Sequence, residues 1–103
     1  MGGGMIMSTF FMYGKYSTEA LKGVSSERTD KVVDLIKKHG GEVKSMYTVL
    51  GEHDLVFIVD FPKIEDAMIA SVGLHKLTGI TFTTSPVVNV EKFDRMIDKA
   101  KEI

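Results

Sequence analysis

Two segments rich in β-branched and aromatic residues flank a short polar stretch near the middle of the chain. They cover residues 42–50 and 55–61. Runs of this composition on either side of a stretch containing Gly and Asp are typical of a β-hairpin. We therefore predict two antiparallel strands joined by a four-residue turn motif, Gly51, Glu52, His53 and Asp54.

The strand predicted over residues 55–61 is apolar at almost every position instead of at every second one. Segment 8–16 shows the same pattern, because bulky side chains occupy both of its alternating faces. A strand with this pattern is covered on both sides. Since a chain of 103 residues supports one core, covering both faces of a single sheet predicts a partner subunit.

Apolar residues recur at helical spacing in three further segments. A helix beginning near residue 26 ends at Gly40-Gly41, and a helix over residues 63–78 ends at Gly79. A C-terminal helix is predicted over residues 91–103, and residues 17–23 predict a single helical turn. The apolar stripe of the C-terminal helix consists of Phe93, Met96, Ile97 and Ala100.

The predicted order, with a fourth strand over residues 80–88, is β-α-β-β-α-β followed by the C-terminal helix. This is the ferredoxin-like α+β pattern, a four-stranded antiparallel sheet with helices on one face. Its first and third strands are central, and they are the two strands whose composition requires cover on both sides. We therefore expect the uncovered sheet face to meet a second copy of the chain, giving a homodimer or higher homo-oligomer.

Length, charge and composition narrow the class of protein. We predict one domain over residues 8–103 after a flexible leader over residues 1–7. The net charge is −1 and the basic residues are spread along the chain, which argues against a nucleic-acid partner. No apolar run approaches the roughly 18 residues that span a bilayer. The absence of Cys fits a reducing compartment, so we expect a cytoplasmic protein with no membrane partner.

The hairpin resembles the signature of the GYD-domain family. Residues 47–56, YTVLGEHDLV, are similar to the family's Tyr-x-x-Leu-Gly-Glu-Tyr-Asp-Leu-Val, and His53 stands where the family usually has Tyr. The resemblance covers about residues 8–93. The family is similar to the dimeric α+β barrel group, so the resemblance implies a dimeric α+β barrel. That group includes small monooxygenases, isomerases, haem enzymes and ligand-sensing regulatory domains.

The hairpin register places candidate chemistry on one strand face. If Leu50 pairs with Leu55, one face is almost entirely apolar and belongs under the helices. The other face runs from Val43 through Tyr47 and mixes apolar side chains with Ser, Tyr and Asp, as an interface or a ligand pocket would. Tyr47 is either a pocket wall or an interface tyrosine whose hydroxyl reaches solvent. The predicted ligand-binding residues are Tyr13, Lys15 and Tyr47.

The turn motif is interpreted as structural. Gly51 supplies a positive φ, Asp54 accepts backbone hydrogen bonds, and His53 is an exposed turn residue. Adjacent turn residues rarely converge on one ion, and His39 and His75 lie far from His53 in the sequence without the spacing of metal ligands. We therefore expect no metal, haem or other cofactor.

Three functions are consistent with these patterns. The first is a small oligomeric module, either structural or binding a small molecule of unidentified class. The second is a cofactor-independent enzyme of monooxygenase or isomerase type that acts in the cavity between paired sheets. The feature that would distinguish such an enzyme is a closed pocket with two or more convergent polar groups. The third is a ligand-sensing domain, although no DNA-binding helix pair is predicted in the chain.

Overall fold

The computed structural model describes residues 6–103 and confirms the predicted order of elements. Its elements are β1 (Ser8–Lys15), α1 (Thr18–Lys22), α2 (Ser26–Lys38), β2 (Glu42–Thr48), β3 (Leu55–Phe61), α3 (Ile64–Thr78), β4 (Thr81–Val87) and α4 (Val90–Ala100). Of the leader predicted over residues 1–7, the first five residues lie outside the described range. Among residues 6–103, no helix combines the length and the apolar character needed to cross a membrane.

The four strands form one antiparallel sheet in the order β2-β3-β1-β4. The first and third strands are therefore central, as predicted. The proline of β4, Pro86, lies on an edge strand, where a residue without an N–H is tolerated. Helices α2 and α3 pack against each other and against the sheet. The fold is the predicted ferredoxin-like α+β arrangement with an additional C-terminal helix.

The core lies between one face of the sheet and these two helices. Alternate residues of the central strands are buried there, while the residues between them are only half-buried. Helix α3 contributes the small side chains of Ala67 and Ala70, both fully buried, which let its backbone approach the sheet closely. The largest fully buried side chains of the core are Phe10, Phe61, Met12, Ile36, Leu74 and Val59.

The hairpin register differs from the prediction by two residues. Thr48, not Leu50, lies opposite Leu55, so the connection is a six-residue loop over residues 49–54. The Val49 amide donates to the Asp54 carbonyl at 2.9 Å and closes this loop. Leu50, predicted to lie under the helices, is fully exposed at the loop tip. Because the shift is an even number of residues, Tyr47 keeps the face that was predicted for it.

A β-bulge in β2 corrects a second prediction. The register shifts between Val43 and Ser45, so Lys44 is an extra residue in that strand. Val43 was predicted on the face with Tyr47, but it packs against the helix-side core instead. One extra residue reverses the alternation of side chains on one side of a bulge. Ser45 and Tyr47, beyond the bulge, keep their predicted face.

Helix α4 has the predicted apolar stripe, but nothing in the described chain covers it. Asn89 caps the helix by accepting a hydrogen bond from the Lys92 amide at 2.8 Å. No residue of α4 is buried, and Phe93, Met96 and Ile97 are 50%, 48% and 41% exposed. The radius of gyration, 15.6 Å, exceeds the roughly 13 Å of a compact domain of this length. A strongly amphipathic helix therefore stands apart from the core.

Candidate functional site

The sheet face turned away from α2 and α3, here called the open sheet face, carries the residues that the sequence marked as candidates. On the central strands it consists of Thr9, Phe11, Tyr13, Val56, Ile58 and Asp60. Each of these residues is half-buried, although helices cover only the other face of the sheet. The edge strands add polar side chains, among them Ser45 and Tyr47 of β2 and Thr83 and Ser85 of β4.

Tyr13 and Tyr47 share the open sheet face without touching across it. Val56 lies opposite both residues, paired with Tyr13 of β1 and with Tyr47 of β2. Two strand spacings separate the tyrosine backbones, about 10 Å in all. Tyr47 is 56% exposed and points from an edge strand. The two phenols therefore flank an apolar strip, an arrangement that suits opposite walls of a shallow site.

His53 contacts Tyr13 directly, which the sequence interpretation missed. The two rings are 4.9 Å apart at their centroids and inclined by 32°. Tyr13 also lies 6.2 Å from the ring of Phe11. His53 is half-buried, so its prediction as an exposed turn residue is wrong. The cause is the longer loop over residues 49–54, which places His53 over Tyr13 of β1.

Asp54 fastens this loop to the end of β1. Its Oδ2 accepts a hydrogen bond from the Tyr16 amide at 2.9 Å, and its own amide donates to the Gly14 carbonyl at 2.8 Å. The carboxylate therefore accepts a backbone hydrogen bond as predicted, but the donor is the residue just after β1 and not a residue of the turn. Lys15 Nζ lies 3.9 Å from the same oxygen. Asp54 thus positions both His53 and Lys15 near Tyr13.

The other half of the turn motif is exposed. Gly51 has φ +138°, a backbone conformation that residues other than glycine rarely adopt. A Cβ at this position would meet no atom within 4 Å, so the backbone angle and not the available space favours glycine. Glu52 is exposed beside it. These two residues shape the loop that carries His53.

A second polar cluster lies towards the opposite end of the open sheet face. Thr9 Oγ1 donates to Asp60 Oδ1 at 2.6 Å, and Lys44 Nζ lies 3.8 Å from Asp60 Oδ2. Lys44 also donates to Glu42 at 3.2 Å. The hydrogen bond and charge of Glu42, followed by the charge of Asp60, raise the pKa of Lys44 above its usual value. The open sheet face therefore has an apolar centre with polar groups at both ends.

The histidines do not come together into a metal site. Within residues 6–103 there is no group of three or more His, Cys, Asp or Glu side chains placed to hold an ion. His75 Nδ1 lies 2.9 Å from the Ile80 carbonyl, a contact that fixes the end of α3 to the start of β4. His75 itself is exposed despite this contact.

A cavity of about 200 Å³ lies on the other side of the sheet, at the start of α2. Its walls are mainly apolar, and its polar groups include Arg28 and the ring of Tyr16. The lining residues come from α2, β2, β3 and the connections between elements, so no single sequence motif predicts the cavity. Nothing in the sequence distinguishes Arg28 from Arg95, the other arginine of the chain.

The fold and the hairpin together define the class of protein, a ferredoxin-like α+β domain with an uncovered sheet face. The family model described as GYD domain matches residues 10–97. The chain therefore belongs to the GYD domain family, as the resemblance of residues 47–56 implied. A comparison with curated protein sequences gave no match.

Several solved structures share the fold. The leucine response regulatory protein (LrpA) of Mycobacterium tuberculosis has a TM-score of 0.57 and 16% identity, covering 81% of this chain and 51% of that chain. A structure described as a transcriptional regulator has a TM-score of 0.63 and 15% identity, covering 84% of this chain and 53% of that chain. The chain thus spans about half the length of both structures. At these identities the likeness shows the fold alone.

Proposed function

We propose that this GYD-family protein is a homo-oligomeric module that binds a small molecule, with its open sheet face buried against a second copy. The observation that carries the proposal is the half-buried apolar centre of that face on the two central strands. Contiguous apolar surface of this kind marks interaction sites in soluble proteins. Because a two-fold axis brings the same sheet face of two copies together, a second copy is the simplest partner.

The uncovered stripe of α4 supports the same proposal. Phe93, Met96 and Ile97 expose a second apolar surface that the chain does not bury itself. An amphipathic helix of this kind gains stability by packing its apolar face against another element. We propose that assembly covers both surfaces, giving an interface of roughly 2,000 Å² or more, the size expected of an obligate dimer.

The ligand-binding part of the proposal concerns the end of the open sheet face near the loop. There Tyr13 lies against His53, and Lys15 lies beside Asp54. A partner sheet would exclude water from the apolar centre while these side chains offered hydrogen-bond donors, an acceptor and a positive charge. Tyr47 flanks the same face from the neighbouring edge. We propose Tyr13, Lys15 and Tyr47 as ligand-binding residues, and we add His53 because its ring lies against Tyr13.

The fold is compatible with a small-molecule role. One solved protein that shares it is named for a response to leucine. That name describes the other protein and sets no ligand for this one. It shows that the same sheet and helix arrangement occurs in a protein whose name refers to a small molecule.

Light scattering coupled to size-exclusion chromatography tests the assembly. We expect a mass of a dimer or more at micromolar concentration, and a monomer for Val56→Asp, because the new charge lies at the apolar centre of the open sheet face. Val72→Asp is the matched control, since Val72 is 60% exposed on α3, on the other side of the sheet. Tyr47→Asp gives a milder variant at an exposed site if Val56→Asp does not fold. A stable monomer of the unaltered protein would contradict the proposal.

Mass spectrometry of small molecules retained by the purified oligomer tests the ligand site. We expect the unaltered protein to retain a compound that Lys15→Met and Tyr13→Phe lose or retain less. Lys76→Met, on the exposed end of α3, serves as the control. Equal retention by all four proteins would show that the ligand does not bind at Tyr13 and Lys15.

A further inference from the structure

We propose that the cavity at the start of α2 is a second binding site, and that it takes a small organic acid whose carboxylate pairs with Arg28. The cavity lies between α2 and the helix side of the sheet, whereas Tyr13 and Lys15 of the proposed ligand site belong to the open face. Tyr47, on the edge strand β2, lines the cavity as well. A single chain forms it completely. The proposal therefore does not depend on assembly or on the site at Tyr13.

The walls of the cavity favour an apolar ligand body. They include Val32, Met46, Leu55, Phe57 and Ile80. Phe57 packs against Phe82 with ring centroids 5.3 Å apart and ring planes inclined by 42°, which fixes one aromatic wall. Pockets lined mainly by apolar and aromatic side chains, with a few polar groups at one end, are the usual form of small-molecule sites.

Arg28 is the single charged side chain among the described residues that line the cavity. Its Nη1 donates to the Ala20 carbonyl, and its guanidinium carbon lies 6.0 Å from the centre of the Tyr16 ring. These two contacts hold the guanidinium in place. Within residues 6–103 no carboxylate lies within 4 Å of it. A positioned cation without an acidic partner is thus available to a ligand.

The chemistry of this cation selects the ligand head group. A guanidinium carries five N–H donors in a planar fork, and one contact to Ala20 leaves most of them free. The fork matches a carboxylate, which can accept two parallel hydrogen bonds. The first turn of α2 adds to the preference, since Ser25 and Thr29 also line the cavity and a helix N-terminus favours negative charge.

The volume indicates the size of the ligand body that the cavity can hold. A cavity of about 200 Å³ corresponds to roughly seven water molecules at about 30 Å³ each. An acid of about ten non-hydrogen atoms fills such a space with its body while its carboxylate stays at Arg28. Phenylacetate has this size and shape, and phenylacetamide is its neutral counterpart. The pair separates the contribution of charge from that of apolar burial.

Titration of ¹⁵N-labelled protein with the two compounds, followed by NMR, tests the proposal. We expect phenylacetate to shift the amide signals of Val32, Met46 and Ile80, and to bind about tenfold or more tightly than phenylacetamide. Arg28→Met should remove this preference, and Arg28→Lys should retain part of it because it keeps the charge but not the fork. Arg95→Met, which alters the other arginine on exposed α4, is the matched control and should bind like the unaltered protein.

A further variant, at Val24, tests the cavity without altering Arg28, in case the Arg28 variants do not fold. Val24 is 56% exposed and lines the cavity, so Val24→Trp should fill its entrance and abolish phenylacetate binding without touching Arg28 or the core. Three results would overturn the proposal. They are no signal change at on the order of 10 mM phenylacetate, equal affinity for acid and amide, or shifts confined to the open sheet face.

Discussion

Phe10 and Phe11 are adjacent in β1, yet they belong to two different environments. Phe10 is 2% exposed under the helices, and its ring packs edge-on against that of Phe61, with centroids 6.0 Å apart. Phe11 is half-buried on the open sheet face, where its nearest aromatic neighbour is Tyr13. The same residue type therefore stabilises the folded chain on one side of the sheet and remains available for contact on the other.

This difference separates the side chains that stabilise the fold from those of the proposed interface. The helix-covered face is apolar on both central strands, and full burial of one large apolar side chain contributes about 1.5–3 kcal/mol to stability. The open sheet face mixes the apolar side chains of Val56 and Ile58 with Tyr13, Lys15 and His53. Polar side chains such as these contribute little to a core, because burying a polar group without a hydrogen-bond partner destabilises the folded protein. Their presence on β1 and on the loop beside it supports the proposed role in recognition.

The largest expected effect contrasts the two phenylalanines. Phe10→Ala should lower the free energy of unfolding by about 3–5 kcal/mol, since it leaves a cavity in a fully buried core. Phe11→Ala should lower the free energy of unfolding of a single chain by only about 1 kcal/mol, because the Phe11 ring is already partly exposed to water. Urea denaturation followed by circular dichroism measures both changes.

Protein concentration distinguishes the two variants further. If the open sheet face forms the interface, the denaturation midpoint of the unaltered protein rises with concentration, and Phe11→Ala weakens that dependence. Phe10→Ala should lower the midpoint while leaving the dependence on concentration intact. Equal losses of stability for the two variants, with no dependence on concentration in any protein, would remove the distinction between the faces.

The element order and the central strands could be predicted from the sequence because both depend on local pattern. The ferredoxin-like element order placed the first and third strands at the centre of the sheet, and the apolar character of segments 8–16 and 55–61 on both faces agreed with that position. Gly40-Gly41 and Gly79 marked the ends of the two long helices for the same reason. The hairpin motif was also sufficient to identify the family.

The details of the site could not be predicted, because they depend on single residues and on distant contacts. The bulge at Lys44 moves Val43 to the other face, and no signal in the sequence marks which residue is extra. The loop was expected to turn within four residues, but its six-residue length carries His53 onto Tyr13, 40 positions earlier. The cavity at Arg28 escapes sequence analysis because residues from several elements line it.

The next prediction concerns the loop over residues 49–54, which joins β2 to β3. Gly51→Val should lower the free energy of unfolding by about 1–3 kcal/mol, because φ +138° strains any residue with a Cβ. Glu52→Val is the control, since its neighbouring position is exposed and has no positive φ. Thermal melting compares the two variants. Equal melting temperatures would show that the loop adopts another backbone conformation at little cost.

A smaller effect is expected at His53. His53→Ala removes an aromatic contact with Tyr13 and should cost about 0.5–1.5 kcal/mol. His53→Tyr, which restores the usual residue of the family signature, should be nearly neutral because an aromatic ring still covers Tyr13. The comparison of melting temperatures isolates the stacking contribution. If both variants lost stability equally, the contribution of His53 would come from a polar interaction and not from the contact of its ring with Tyr13.

The smallest expected effect is electrostatic and lies at Lys44. Glu42 and Asp60 raise the pKa of this lysine in the folded protein. The contribution of its charge is therefore fully present below the unfolded-state pKa, and it is lost only as the pH rises through the higher folded-state value. Asp60→Asn should lower the pKa of Lys44, with Thr9→Val as the control that removes only the other partner of Asp60. Side-chain NMR titration of Lys44 measures the shift, and an unchanged titration in Asp60→Asn would show that Glu42 alone causes it.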